Sequence, residues 1–154
     1  MPGRLEVVGQ TRGGIVLVDY AHKPEALEAA LSTLKPFACG KLRVVFGCGG
    51  DRDRAKRPMM GAIAARLADD IIITDDNPRN EEPASIREEI LRAVPQAKNI
   101  GDRRKAIAEA IHSINAGDVV LIAGKGHEVG QIIGSRVEPF SDKEEAMAAI
   151  RRYS

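Results

Sequence analysis

Charged residues and glycines recur at four points of this sequence where a purely structural loop would need only a cap. The segments are Asp19-Tyr20-Ala21-His22, Gly47-Cys48-Gly49-Gly50-Asp51-Arg52-Asp53, Thr74-Asp75-Asp76-Asn77-Pro78-Arg79 and Gly124-Lys125-Gly126-His127-Glu128. In the third, Pro78 fixes its own φ and pushes Asn77 out of the helical region. The loop is therefore expected to be rigid, presenting the planar Arg79 guanidinium to a carboxylate in a two-point clamp. Arg52 can supply a second guanidinium. The glycines before Asp51 let backbone approach a ligand, and a following helix N-terminus favours an anion; a tight strand-to-helix turn explains the same glycines. The fourth segment offers the Glu128 carboxylate and exposed carbonyls, the groups needed to hold an ammonium. His127 reads as either structural or functional, whereas His22 gains interest from its place beside Asp19 and Tyr20. Two guanidiniums and a carboxylate together complement an amino acid, or the zwitterionic end of a longer one.

The elements around these segments alternate between Val/Ile-rich runs and stretches of helical period, the pattern of an α/β domain with a mainly parallel sheet. Leu5 to Val8 and Ile15 to Val18, separated by Gly13-Gly14, are expected to form an opening hairpin. Pro24 suits a first helical turn, after which Ala26, Leu27, Ala30, Leu31 and Leu34 recur at helical spacing. Leu42 to Phe46 is apolar after Arg43, as for a strand covered on both faces. A helix near Pro58 is expected to carry Met59, Ile63, Ala64 and Leu67. Ile71-Ile72-Ile73 forms the next strand, Pro83 opens a helix with Ile86, Ile90 and Leu91, and another helix spans Ala106 to Ile114, with His112 solvated or half-buried. Val119 to Ala123 is the last strong strand. Gln131 to Phe140 reads as a hairpin turning at Gly134-Ser135, and Ser141-Asp142 caps a final helix with Glu144 and Glu145 in its first turn. In an open parallel sheet, ligands bind beyond the carboxyl ends of the strands, so the four segments are expected to line one edge and converge.

Composition removes several function classes. A chain of 154 residues fits one domain, and a net charge of +1 with 3% aromatic residues provides neither the field nor the stacking surface for nucleic acid. No apolar run approaches the roughly 20 residues of a membrane span. Cys39 and Cys48 have no metal-ligand spacing and read as reduced thiols of a cytosolic protein. Met1-Pro2-Gly3-Arg4 has no apolar signal region behind it and reads as a start placed inside a longer protein. The glycines are neither a P-loop nor a dinucleotide fingerprint. No Ser-His-Asp order, cysteine nucleophile or metal-ligand cluster competes with amino-acid binding.

From Gly3 to the last helix, the four segments together resemble the Mur ligase family on its diaminopimelate-adding branch, and only the C-terminal domain of such an enzyme. Asp76-Asn77-Pro78-Arg79 is similar to the branch's diaminopimelate signature, at which lysine-adding relatives typically differ. The resemblance implies a Rossmann-like three-layer α/β/α domain with a short N-terminal hairpin, covering residues 1–154. It implies that Arg52, Asn77 and Arg79 grip the distal carboxylate of meso-diaminopimelate, while the Gly124 carbonyl and Glu128 hold the ammonium at the same centre. Asp76 and Pro78 enter as members of the signature. Arg4, Asp19 and His22 match the family's ATP-contacting positions, although Lys23 stands where the family has Thr or a similar residue; Lys56 and Arg57 receive no role. The implied reaction is bacterial, cytoplasmic and ATP- and Mg²⁺-dependent: a D-glutamate carboxylate of UDP-N-acetylmuramoyl-L-Ala-D-Glu is phosphorylated, and the diaminopimelate amine attacks the acyl phosphate. The uridine-nucleotide pocket, the P-loop and the Mg²⁺ ligands belong to N-terminal and central domains outside this sequence, so it is expected to contain no catalytic residue and to be inactive alone. Alternatives are a stand-alone amino-acid-binding module, or the equivalent domain of a lysine-adding Mur ligase or a folylpolyglutamate synthase.

Overall fold

The computed structural model describes residues 3–153; Met1 and Pro2 of the N-terminal reading lie outside them. The chain opens with the expected hairpin of β1 (Glu6–Thr11) and β2 (Gly14–Asp19). Arg12 and Gly13 both have positive φ between these strands, the backbone that lets a two-residue loop follow the strand twist. The strands β3 (Leu42–Phe46), β4 (Asp70–Ile73), β5 (Lys98–Asn99) and β6 (Val119–Ala123) complete a sheet ordered β1-β2-β6-β3-β4-β5. Every neighbouring pair is parallel except β1 with β2.

Helices cover both faces, which is why β3 and β6 are buried at every position. On one face α1 (Pro24–Leu34), α2 (Lys56–Leu67) and α3 (Pro83–Leu91) pack on Leu17, Val44, Phe46, Ile73 and Leu121. On the other, α4 (Arg103–His112) and α5 (Asp142–Tyr153) pack on Val16, Val18, Val45, Ile72 and Ile122. The alternation of strand residues between the two cores is the period-2 geometry of a strand. Each fully buried Leu or Ile contributes roughly 1.5–3 kcal/mol, so the layers hold the strand ends firmly. A second, two-stranded sheet of β7 (Gly130–Ile133) and β8 (Arg136–Pro139) stands beside them, turning at Gly134 as expected.

Three local readings need correction. On α2 the core residue is Met60, wholly buried, whereas Met59 points outward at 54% exposure. Helix α4 starts at Arg103, three residues before Ala106, because the Asp102 carboxylate caps it by accepting from the Lys105 N–H (3.2 Å). At α5 only Ser141 caps, accepting from the Glu144 N–H; Asp142 turns inward and holds the buried Arg103 guanidinium through two 2.7 Å bonds.

Candidate functional site

Strands β2, β6, β3 and β4 run parallel, so their carboxyl ends share one edge, and the four segments meet there around a cleft of about 350 Å³. The loop after β2 contributes Tyr20, His22 and Lys23; the loop after β3 contributes Gly49 and Arg52, with Lys56 from the start of α2. The loop after β4 contributes Asp76, Asn77 and Arg79, and the loop after β6 contributes Gly124 and Glu128. Of the diaminopimelate-site residues expected from the sequence, all but Pro78 line this cleft.

Pro78 is buried behind the wall, and its position explains the glycines. A Cβ on Gly50 would lie 1.8 Å from the Pro78 carbonyl oxygen, and one on Gly47 would lie 2.0 Å from that of Thr74. These glycines admit a neighbouring loop rather than a ligand. The two loops are then stitched together. The Gly50 N–H donates to the Asn77 carbonyl (2.7 Å), Arg79 Nη1 donates to the Gly50 carbonyl (3.0 Å), and the Asp51 carboxylate accepts from Asn80 Nδ2 (3.0 Å). Behind them Arg57, wholly buried, bonds both Glu81 oxygens (2.8 and 3.0 Å) and the Gly49 carbonyl (3.0 Å). That guanidinium holds the Glu81 carboxyl down at about 2.

Arg79 sits in the left-handed region (φ 53°), which costs a non-glycine residue about 1–2 kcal/mol. Its N–H donates to the Ile132 carbonyl (3.0 Å) and its carbonyl accepts from the Gly134 N–H (2.6 Å), so strand β7 clasps the residue in this conformation. Arg52 is exposed, donating to the adjacent Asp51 carbonyl (2.9 Å). The neighbouring carboxylates of the third segment part company: Asp75 faces away from the cleft towards Arg87, and burial, outweighing that partner, raises its pKa. Asp76 faces Lys125 (3.1 Å). Glu128 also lines the cleft, and its charge, more than partial burial, raises the Tyr20 phenol above its usual value.

Arg4, Asp19 and His22 meet at an adjoining cleft of about 190 Å³ that shares Tyr20, His22 and Lys23 with the first. The Asp19 carboxylate is committed to backbone there: Oδ1 accepts from the Leu5 N–H (2.7 Å) and Oδ2 from the Ala21 N–H (2.8 Å). His22 Nδ1 lies 2.9 Å from the Tyr20 carbonyl, which can only accept, so Nδ1 carries a proton there. His127 is exposed, and His112 is exposed and packs on Tyr153. Among the described residues no group of three His, Cys, Asp or Glu could hold a metal ion, and no helix is long and apolar enough to cross a membrane.

The sequence reading missed Lys125 and Arg57, both wholly buried beneath the cleft wall. Lys125 carried a faint signal, a lysine pinched between two glycines; Arg57 carried none, since a basic residue early in a helix ordinarily faces solvent.

Fold and site together define an α/β domain whose parallel-sheet edge forms a cleft lined by the guanidiniums of Arg52 and Arg79 and the carboxylates of Asp76 and Glu128. Residues 3–126 match the family Mur ligase, glutamate ligase domain, and the chain belongs to that family. Over 151 residues it is 62% identical to a UDP-N-acetylmuramoyl-L-alanyl-D-glutamate–2,6-diaminopimelate ligase of Mesorhizobium japonicum, covering 97% of this chain and 31% of that protein. A solved structure of a ligase of the same name superimposes with a TM-score of 0.92 at 42% identity, covering 99% of this chain and 32% of the other. A bifunctional folylpolyglutamate synthase/dihydrofolate synthase of Yersinia pestis shares the fold (TM-score 0.65, 23% identity, 98% of this chain and 32% of the other). The chain thus spans about a third of the length of the relatives it matches.

Proposed function

We propose that this chain is the C-terminal, amino-acid-binding domain of an ATP-dependent ligase that adds meso-diaminopimelate to UDP-N-acetylmuramoyl-L-Ala-D-Glu in the bacterial cytoplasm. The observation that carries the reading is the convergence of Arg52, Asn77 and Arg79 with Glu128 and Gly124 around one cleft. Those groups complement a carboxylate and an ammonium on one carbon. L-Lysine lacks the distal carboxylate and would leave both guanidiniums without the ligand partner that the cleft offers them. A site built to bond a substrate group rejects the analogue lacking it by roughly 10⁴-fold or more.

In this reading the domain orients the diaminopimelate amine for attack on a D-glutamyl phosphate, a positioning role rather than an acid–base one. ATP and Mg²⁺ are held mainly by the rest of the enzyme, and the residues here suit a share of the nucleotide only. Arg4, Lys23 and His22 border the adjoining cleft as cation or polar contacts, whereas Asp19 acts by fixing its loop. The test is a chimera in which residues 3–153 replace the corresponding third of the Mesorhizobium japonicum relative. It should release ADP on addition of meso-diaminopimelate, with L-lysine supporting a rate roughly 10⁴-fold lower. Equal rates with the two amino acids, or no diaminopimelate-dependent release, would refute the proposal.

A further inference from the structure

Lys125 follows Gly124, which lines the cleft, yet its own side chain is wholly buried. Gly124 (φ 121°) and Gly126 (φ 56°) make this possible, both donating their N–H groups to the Asp19 carbonyl (3.0 and 3.2 Å) and turning the intervening residue inward. The ammonium donates to Asn77 Oδ1 (2.9 Å) and the Gly130 carbonyl (3.0 Å), with the Asp76 carboxylate 3.1 Å away as its counter-ion. These oxygens belong to the loop after β4 and to the first residue of β7, so one buried charge ties three segments together.

The consequence falls on Asn77. Its inward end meets both Lys125 Nζ and the Ile132 N–H (2.9 Å each), and both can only donate. That end is therefore the oxygen, and the amide Nδ2 faces the cleft that Asn77 lines, as a donor suited to a carboxylate. We infer that Lys125 is a positioning residue: it orients Asn77 as a donor and thereby sets the cleft's preference for an amino acid with a distal carboxylate. The inference rests on the proposed function. With an apolar residue at 125, Asp76 loses its 3.1 Å counter-ion and the Asn77 oxygen keeps only the Ile132 N–H, so the amide is held less firmly and its donor end is no longer fixed towards the ligand carboxylate.

Calorimetry on the chain tests this with the Lys125→Met, Asn77→Ala, Asn77→Asp and double variants. Lys125→Met should weaken meso-diaminopimelate binding by roughly tenfold or more and narrow its advantage over L-lysine, but should change nothing further in an Asn77→Ala background. Asn77→Asp keeps an oxygen for both inward donors while presenting another to the cleft, so it should fold and lose at least as much affinity. It decides the matter if Lys125→Met does not fold. Undiminished binding in Lys125→Met or Asn77→Asp, or an equal further loss in the Asn77→Ala background, would overturn the inference. If the unsubstituted chain fails to bind meso-diaminopimelate, the proposed function falls instead. Proton exchange at the Asn77 side-chain amide then still discriminates: rapid exchange with water supports the orientation, and protected protons refute it.

Discussion

Arg52 and Arg79 reach the same cleft under very different restraint. Arg79 is fixed at its backbone by Ile132 and Gly134 and at its guanidinium by the Gly50 carbonyl, while Gly49 leaves room that a Cβ, 2.8 Å from Arg79 Nη1, would take. Arg52 is exposed and, among the described residues, donates to its own neighbour's carbonyl. Ordering a free arginine costs up to about 2 kcal/mol of side-chain entropy, a cost Arg79 has already met in the folded chain. Arg79→Ala should therefore weaken meso-diaminopimelate binding by roughly tenfold or more, and Arg52→Ala by several-fold less, when the two are compared by calorimetry. Both arginines and Glu128 were legible in the sequence because charge at a strand end lacks a structural reason. Lys125 was not, since a lysine's ordinary place is in water and only the fold shows that two glycines turn it inward.

At the scale of elements, the site is a sandwich of two loops backed by the β7–β8 hairpin, and the Arg57–Glu81 pair bolts the loops together. Arg57 is wholly buried, and Glu81 is lowered from an ordinary 4.5 to about 2. A carboxyl depressed on folding contributes stability that is complete above its unfolded value and is lost as pH falls towards its folded one. Unfolding temperatures should thus drop between about pH 5 and pH 2, and Glu81→Gln should flatten that drop while lowering stability at neutral pH, because Arg57 stays buried with only the more distant Glu89 (3.5 Å) as counter-charge. A drop unchanged in Glu81→Gln would remove this pair from the account. The sequence made most of these elements legible through apolar period and through Pro24, Pro83 and the glycine turns. It missed β5, whose two residues Lys98 and Asn99 are exposed and carry no apolar pattern. On α2 it took Met59 in place of Met60, its like neighbour, although Ala64, Ile63 and Leu67 do face the core, and it took Asp142 for a cap because its partner, Arg103, lies 39 residues away.

Across the whole molecule, the sheet separates its two ends. The carboxyl edge gathers the glycine loops and unbalanced charge, whereas the opposite edge holds a cavity of about 90 Å³ beside Arg43, itself paired with Asp70 and Asp118. Convergence of the four segments was legible from strand order alone, because parallel strands must end on one side; the clasp of β7 on Arg79 was not, because it joins residues distant in sequence. The central claim is that this edge reads the distal zwitterion of meso-diaminopimelate. An NMR titration of the chain with meso-diaminopimelate, and in parallel with L-lysine, tests it most directly. The account predicts shifts confined to Arg52, Asn77, Arg79, Gly124 and Glu128 with the first ligand and none there with the second. The same shifts with both ligands would contradict it.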